Sequence, residues 1–344
     1  MTSCKVVLSS EVAASFRKEI HNVITERGVR PKLVGFLANH DPAAGKYAEW
    51  TAKSCEESGI DFDLRKVDKQ ELEDKIIEAN EDYNVNGIMV YYPVFGDRQV
   101  WKFFIVRELN AGTHSCFWVV YQALSPLYQD QYLQNIISTD KDVEGLCHKF
   151  VYNMYHNVRY LDREQKRKCI IPCTPLAVVK VVLLNILQIL EYIGVYNSVL
   201  PYGNRLYGKV ITVINRSEVV GRPLAALLAN DGARVFSVDI NGVQEFTRGT
   251  GITLRKHEVK DCAISVEQCA PLSDVVITGV PKASYKLPTE WLKDGVIAIN
   301  VSTYKNFSDD IKTRASIYVP SVGKVTVAML ERNLLRLYDY QHGL

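Results

Sequence analysis

The chain has 344 residues, 47% apolar and 23% charged, the balance of a soluble globular protein long enough for two cored domains. Its 41 basic against 39 acidic residues leave a net charge of +2, which gives no electrostatic reason to expect nucleic acid or an anionic membrane as partner. The 8 cysteines form no CxxC pair, which argues against zinc and predicts reduced thiols.

The opening residues turn amphipathic without a continuous apolar core, so no signal peptide is expected. The apolar stretches Trp101–Leu124 and Leu176–Leu200 are broken by Arg107 and Glu108, and by Lys180 and Glu191. Neither reads as a membrane span, and the expected compartment is the cytoplasm.

In chain order, Val12, Phe16, Ile20 and Ile24 recur every fourth residue and predict an amphipathic helix over 8–28. Residues 32–38 read as a strand running into the polar loop Asn39–Pro42, and a helix over 43–58 carries Tyr47, Trp50, Thr51 and Lys53. A strand at 61–67, a charged helix at 70–81 and an apolar strand at 87–94 complete an alternation that predicts a parallel α/β layer. Val100–Gln129 is aromatic-rich and poorly patterned. After residues 130–137 the chain tightens into TDKDVEG, with Asp142 and Glu144 around Val143, and Tyr152–Lys168 reads as a polar linker.

Pro172-Cys173-Thr174-Pro175 then marks a break. Thr174 suits a helix cap and Pro175 the first helical position, which places a domain boundary near residue 174. Beyond it come a helix over 175–194, a strand at 209–214, the polar turn Asn215-Arg216-Ser217 and a helix over 223–231. A strand at 234–238 ends at Asp239, and 240–270 is a polar excursion without a predicted element. Strands at 274–278 and 295–300 and an amphipathic helix over 325–339 close the chain. The predicted fold is two α/β domains around a cleft, the C-terminal one a Rossmann-like parallel sheet with its ligand at the strands' carboxyl ends.

Several residues suit chemistry. Ser217 and the free N–H groups of the following helix start suit a phosphate, although Asn215–Pro223 lacks GxGxxG and serves equally as an ordinary strand–helix turn. Asp239 ends the next strand, where a carboxylate accepts from ribose hydroxyls and repels a 2′-phosphate. Arg216 pulls the other way; Asp239 favours NAD. Cys173 has no histidine near it in sequence, so from the residues alone it reads as a nucleophile or, better, as a buried inert thiol. Asp142 and Glu144 suit a basic heterocycle or a solvated turn, and Tyr47 and Tyr91 suit ring stacking or the core.

Taken together, GFLANHDPAAGKYAEWT, GIMVYYPVFG, DKDVEG, PCTPLA, NRSEVVGRPLAALLANDGA, DVVITGVP and VGKVTVAML resemble, in this order, the methylenetetrahydrofolate dehydrogenase/cyclohydrolase family, nearest its monofunctional NAD-dependent yeast branch. The resemblance implies hydride transfer from 5,10-methylenetetrahydrofolate to NAD in one-carbon metabolism and purine biosynthesis, by a cytoplasmic homodimer. It implies a folate domain of residues 1–174 plus 325–344 and an NAD domain of 175–324. Cofactor contacts are expected from Asn215, Arg216, Ser217, Val220, Gly221, Asp239, Thr278, Gly279 and Val280. Substrate contacts are expected from Tyr91, Asp142, Glu144 and Pro320, and catalytic roles from Cys173, Tyr47 and Thr51.

Members that also hydrolyse the product carry Tyr-x-x-x-Lys; here Tyr47 is followed by Thr51, and Lys53 is two residues out of register. Tyr91 stands where such members carry glutamine. Both departures point to a dehydrogenase without cyclohydrolase activity. The alternatives are a bifunctional NADP enzyme using Lys53, or a non-catalytic folate- or nucleotide-binding protein whose cleft is blocked by residues 100–129. Against the family, Val100–Gln129 reads as an insertion, consistent with a retained intron, and Val181–Gln188 as a shorter excess.

Overall fold

The computed structural model describes residues 4–95, 103–106, 119–122, 126–179, 199–201, 203–249 and 257–344. The first part runs β1 (Lys5–Val6), α1 (Ser9–Arg27), β2 (Lys32–Leu37), α2 (Pro42–Ser58), β3 (Asp61–Lys66), α3 (Leu72–Glu81) and β4 (Gly87–Val90). Strands β2, β3 and β4 form a parallel sheet in the order β3-β2-β4. Leu33, Val34 and Phe36 of β2 are all buried, as expected for a central strand covered on both faces. Asp41 caps α2 by accepting the Ala43 N–H at 2.9 Å, and Pro42 opens its first turn.

The chain continues through β5 (Phe103–Val106) and β6 (Val119–Gln122), an antiparallel pair, into α4 (Pro126–Ile136), α5 (His148–Tyr155) and α6 (173–179). Next come β7 (Val210–Ile214), α7 (Gly221–Asn230), β8 (Arg234–Asp239), β9 (Gly242–Arg248) and β10 (His257–Cys262). The last part holds α8 (Val266–Cys269), β11 (Val275–Thr278), β12 (Ile297–Asn300), α9 (Ile311–Arg314), β13 (Ile317–Val319) and α10 (Gly323–His342). The large sheet has eight strands in the order β1-β13-β12-β11-β7-β8-β9-β10, antiparallel only at β8–β9 and β9–β10. Its first strand, β1, comes from the chain's start. The final helix α10 returns to pack on α1 and α2.

The structure corrects three expectations. The excursion at 240–270 holds the hairpin β9–β10 and the short α8. Only Val243 and Phe246 of β9 are buried and no residue of β10 is, so the hairpin rests on backbone pairing at an edge and lacks an apolar alternation. The linker expected from Tyr152 begins inside α5, whose Phe150 and Met154 are buried. The strand expected to run to residue 94 stops at Val90, ahead of Pro93, which has no N–H to pair. Strands β1 and β13, two and three residues long, were too short for any periodicity. The expected excess at 181–188, the helix beyond residue 179 and most of 100–129 lie outside the described residues.

Candidate active site

Strand β7 lies between β8 and β11, so the order of the sheet switches at its carboxyl end. There Asn215 takes φ +85°, its N–H donates to the Val238 carbonyl at 2.9 Å and its Nδ2 to the Gly279 carbonyl at 2.6 Å. The Ser217 hydroxyl accepts the N–H groups of Val220 and Gly221, each at 3.3 Å, and so opens α7. A Cβ on Gly221 would lie 1.8 Å from the Asn215 carbonyl oxygen. Only glycine allows the helix to start this close to the strand. A cavity of about 240 Å³ over this start is lined by Thr174, Asn215, Ser217, Val220, Gly221 and Gly279.

On the far side of Arg216 a second cavity of about 430 Å³ holds Arg216, Arg222, Asp239 and Gly242. Asp239 Oδ2 accepts the Arg216 N–H and Oδ1 the Ile240 N–H, both at 2.7 Å. The Arg216 guanidinium donates to the Gly242 carbonyl at 3.0 Å, and Arg222 pairs with Glu218 at 2.9 Å. A strand-end carboxylate, a side-chain-free approach at Gly221 and the amino end of a ten-residue helix fit a dinucleotide laid across the switch point.

The third cavity, about 440 Å³, shares Thr174, Val301 and Ser302 with the first and runs towards β4 and the start of α10. Tyr47 and Tyr91 meet there edge to face, centroids 5.9 Å apart at 82°. Burial pushes both phenols up; at Tyr91 this is opposed by Thr51, which stands beside the hydroxyl without a well-formed hydrogen bond. Glu144 faces this cleft and its Oε2 accepts the Val90 N–H at 3.0 Å. Burial drives its carboxyl up to about 8, with the Asp142 charge adding and the Val90 bond opposing.

Cys173 also lines the cleft. Its thiol donates to the Val143 carbonyl at 3.1 Å and accepts from Asn333 Nδ2 at 3.4 Å. Burial, then the charges of Glu144 and Asp142, hold its pKa well above the ordinary value. Every one of these influences except the Asn333 contact opposes a thiolate, so the site keeps Cys173 as a neutral thiol.

Other expected residues stand elsewhere. Thr51 is wholly buried behind the cleft, donating to the Tyr47 carbonyl at 2.9 Å. Lys53 is exposed and does not line the cleft. Asp142 is buried and turned inward: it accepts the N–H groups of Gly145 at 2.8 Å and Cys147 at 2.9 Å, fixing the turn that presents Glu144. Gly145 sits at φ +70°, and a Cβ there would come 2.9 Å from the Ile171 backbone. Thr278 is wholly buried and bonds Asn300 at 3.4 Å, whereas the Val280 N–H donates to Asn306 at 2.9 Å; neither lines the cofactor cavity. Pro320 does line the cleft.

Two positioning residues escaped the sequence reading. Asn300 Nδ2 donates to the carbonyls of Ser302, Tyr304 and Pro320 at 2.8, 3.0 and 3.1 Å and so shapes the loop between the two cavities. Asn333 Nδ2 donates to the carbonyls of Val143 at 2.9 Å and Ile171 at 3.1 Å, tying α10 to both walls beside Cys173. The available signal was an asparagine on the apolar stripe of a helix. Among the described residues, no group of histidine, cysteine and carboxylate side chains is placed to hold a metal ion, and no helix is long and apolar enough to cross a membrane.

These features define a two-unit α/β enzyme with a nucleotide-binding sheet beside a cleft of aromatic and acidic side chains. Residues 7–104 match the family model described as tetrahydrofolate dehydrogenase/cyclohydrolase, catalytic domain, and 192–342 its NAD(P)-binding domain. The chain belongs to the tetrahydrofolate dehydrogenase/cyclohydrolase family. It is 54% identical over 340 residues to the methylenetetrahydrofolate dehydrogenase (NAD+) of Schizosaccharomyces pombe, covering 98% of this chain and 94% of that one. It is 52% identical to the protein of the same name from Saccharomyces cerevisiae, covering 97% and 95%. The solved structure of the NAD-dependent 5,10-methylenetetrahydrofolate dehydrogenase of Saccharomyces cerevisiae superposes with a TM-score of 0.83 at 51% identity, covering 98% of each chain.

Proposed function

We propose that the chain oxidises 5,10-methylenetetrahydrofolate to 5,10-methenyltetrahydrofolate with NAD, and that it lacks cyclohydrolase activity. The observation that carries the activity is the cavity over the Gly221 turn, which shares Thr174, Val301 and Ser302 with the Tyr47–Tyr91–Glu144 cleft, in a chain 54% identical to a relative of that name.

The carbon that reacts lies between two nitrogens. Their lone pairs expel the hydride and leave a delocalised amidinium, so no proton has to be removed and no strong base is needed. When bound, NAD supplies the hydride acceptor. Asn215, Arg216, Ser217, Val220, Gly221, Asp239 and Gly279 hold it, with Thr278 and Val280 acting from behind through the loops they anchor. Glu144 accepts from the pteridine, Tyr47 and Tyr91 bound the reacting face, Pro320 closes the cleft, and Asp142 holds Glu144 in place. Thr51 and Cys173 position rather than react: the first supports Tyr47 and Tyr91, and the second packs as a neutral thiol. Orientation and exclusion of water supply the rate.

Cyclohydrolase activity needs a base or ammonium that activates water at the product carbon. Thr51 cannot provide it, and Lys53 faces solvent. The two units are residues 1–174 with 325–344 and residues 175–324, except that β1 at the chain's start adds an edge strand to the second unit's sheet, and the chain works as a homodimer in the cytoplasm, serving purine biosynthesis. The test is turnover with NAD while the absorbance of the methenyl product is followed after the cofactor is exhausted.

A further inference from the structure

Glu331 of α10 is wholly buried. Its Oε2 accepts the Ser58 hydroxyl at 2.8 Å, while its Oε1 and the nearby Ser54 hydroxyl are buried without a well-formed hydrogen bond. No cation among the described residues is paired with it. Arg17 of α1 pairs instead with Glu57 of α2 at 3.3 Å, and Arg332 of α10 with Glu19 of α1 at 3.8 Å. From α2 the Cys55 thiol, the Tyr47 phenol and the Glu57 carboxylate also face Glu331, and none of them supplies a positive charge.

A carboxylate in this setting is a buried charge without a partner, which is costly to hold. A protonated carboxyl offers one O–H donor and keeps an acceptor. With the proton on Oε1, the acid donates to the Ser54 oxygen while Oε2 keeps the bond from Ser58. One proton thus satisfies both orphaned atoms. Burial pushes the carboxyl pKa up in the same sense, with Ser54, Ser58 and Arg17 opposing.

Ser54 and Ser58 lie on the stripe of α2 that begins with Tyr47 and Thr51. The facing helix α10 holds another wall of the cleft, because Asn333 Nδ2 bonds the Val143 and Ile171 carbonyls beside Cys173. We propose that Glu331 is a positioning residue for the dehydrogenase, a neutral acid that fastens α10 to α2 through Ser54 and Ser58 and so sets Tyr47 in the cleft. This rests on the folate reading above and adds a protonation state on which that reading's substrate wall depends. When the proton leaves as pH rises, the donor to Ser54 is lost and a buried anion remains. Tyr47 then loses its place and substrate binding weakens, whereas the cofactor cavity over Gly221 has no contact with this cluster.

The experiment measures kcat and KM for 5,10-methylenetetrahydrofolate and KM for NAD as pH is raised, using the full chain, Glu331→Gln and Glu331→Met. The carboxamide carries a donor and an acceptor where the neutral acid has them and does not ionise; methionine fills the space with neither. At neutral pH the Gln variant is expected to keep its folate KM within about twofold, and the Met variant to raise it about tenfold, the worth of one hydrogen bond between the helices. KM for NAD stays unchanged in both. As pH rises, the folate KM of the unaltered chain climbs above that of Glu331→Gln; Glu144 titrates in both proteins and cancels from the comparison. Melting curves report whether Glu331→Met folds, and where it does not, the divergence of the other two profiles decides. Coincident profiles, a Gln variant as impaired as a folded Met variant, or equal losses for folate and NAD overturn the inference while the dehydrogenase reading stands. Absence of turnover by the unaltered chain sinks that reading and this inference with it.

Discussion

Replacing Gly221 by alanine tests the geometry of the cofactor turn. The added Cβ would sit 1.8 Å from the Asn215 carbonyl oxygen, 2.8 Å from its carbonyl carbon and 3.0 Å from the Arg216 Cα. Ordinary contact begins at 3.4 Å, so the turn or the helix must give way by about 1.6 Å. All three atoms are backbone, and no side chain can swing aside to relieve the clash. Asn215 is also pinned through its Nδ2 to Gly279 and through its N–H to Val238. The cost belongs at the upper end for overpacking, about 3 kcal/mol, or a fall in melting temperature of about 4 °C. A displacement of this size beside the cofactor also weakens NAD-dependent turnover by about a hundredfold. Thermal melting and kcat/KM for NAD read the two effects. Gly45→Ala is the control: nothing lies within 4 Å of its added Cβ, and α2 gains about 0.5–1 kcal/mol. A Gly221→Ala protein that melts like the unaltered chain and keeps its affinity for NAD would refute the close approach.

Other perturbations separate the remaining roles. Asp239→Ser removes the carboxylate facing the ribose position while its hydroxyl still accepts one N–H. A like-charge contact of about 4 kcal/mol at an effective dielectric of 20 disappears, partly offset by Arg216, so the NAD/NADP ratio of kcat/KM falls about a hundredfold; an unchanged ratio contradicts the assignment. Cys173→Ala keeps kcat within about tenfold and costs about 1 kcal/mol for the lost bond to Val143, whereas loss of all turnover in a folded protein would make the thiol a reactant. Glu144 titrates near 8 in the folded chain, above its unfolded value of 4.5. Its contribution to stability is full below pH 4.5 and is lost as pH rises through 8, by at most about 1.4 kcal/mol per pH unit. Melting curves of Glu144→Gln are therefore flatter between those limits than those of the unaltered chain, and parallel curves would remove Glu144 from the buried position.

The cofactor half of the site was legible because its signals are local. A two-sided apolar strand, a polar turn, Gly221 before Pro223 and an acid ending the next strand all fall within thirty residues, and β7, α7 and β8 are placed as that pattern predicts. The substrate half was legible as a set of residues but not as a set of roles. Asp142 and Glu144 look alike in sequence. The turn at Gly145 curls N–H groups onto one of them and leaves the other facing the cleft. Thr51 and Lys53 were separable because a helix turns successive residues to different faces, one buried and the other exposed. Asn333 could not be found this way: its partner Val143 lies 190 positions away, and only the packing of α10 brings them together. The β9–β10 hairpin was invisible because a polar edge ladder is held by its backbone.

The central claim is an NAD-dependent dehydrogenase that releases its methenyl product intact. It is tested most directly by mixing the purified chain with 5,10-methylenetetrahydrofolate and either NAD or NADP, following 5,10-methenyltetrahydrofolate until the cofactor is spent and then following its decay. The account predicts product with NAD, far less with NADP, and a decay no faster than in buffer alone. Preference for NADP, or a decay that quickens in proportion to the protein added, would contradict it.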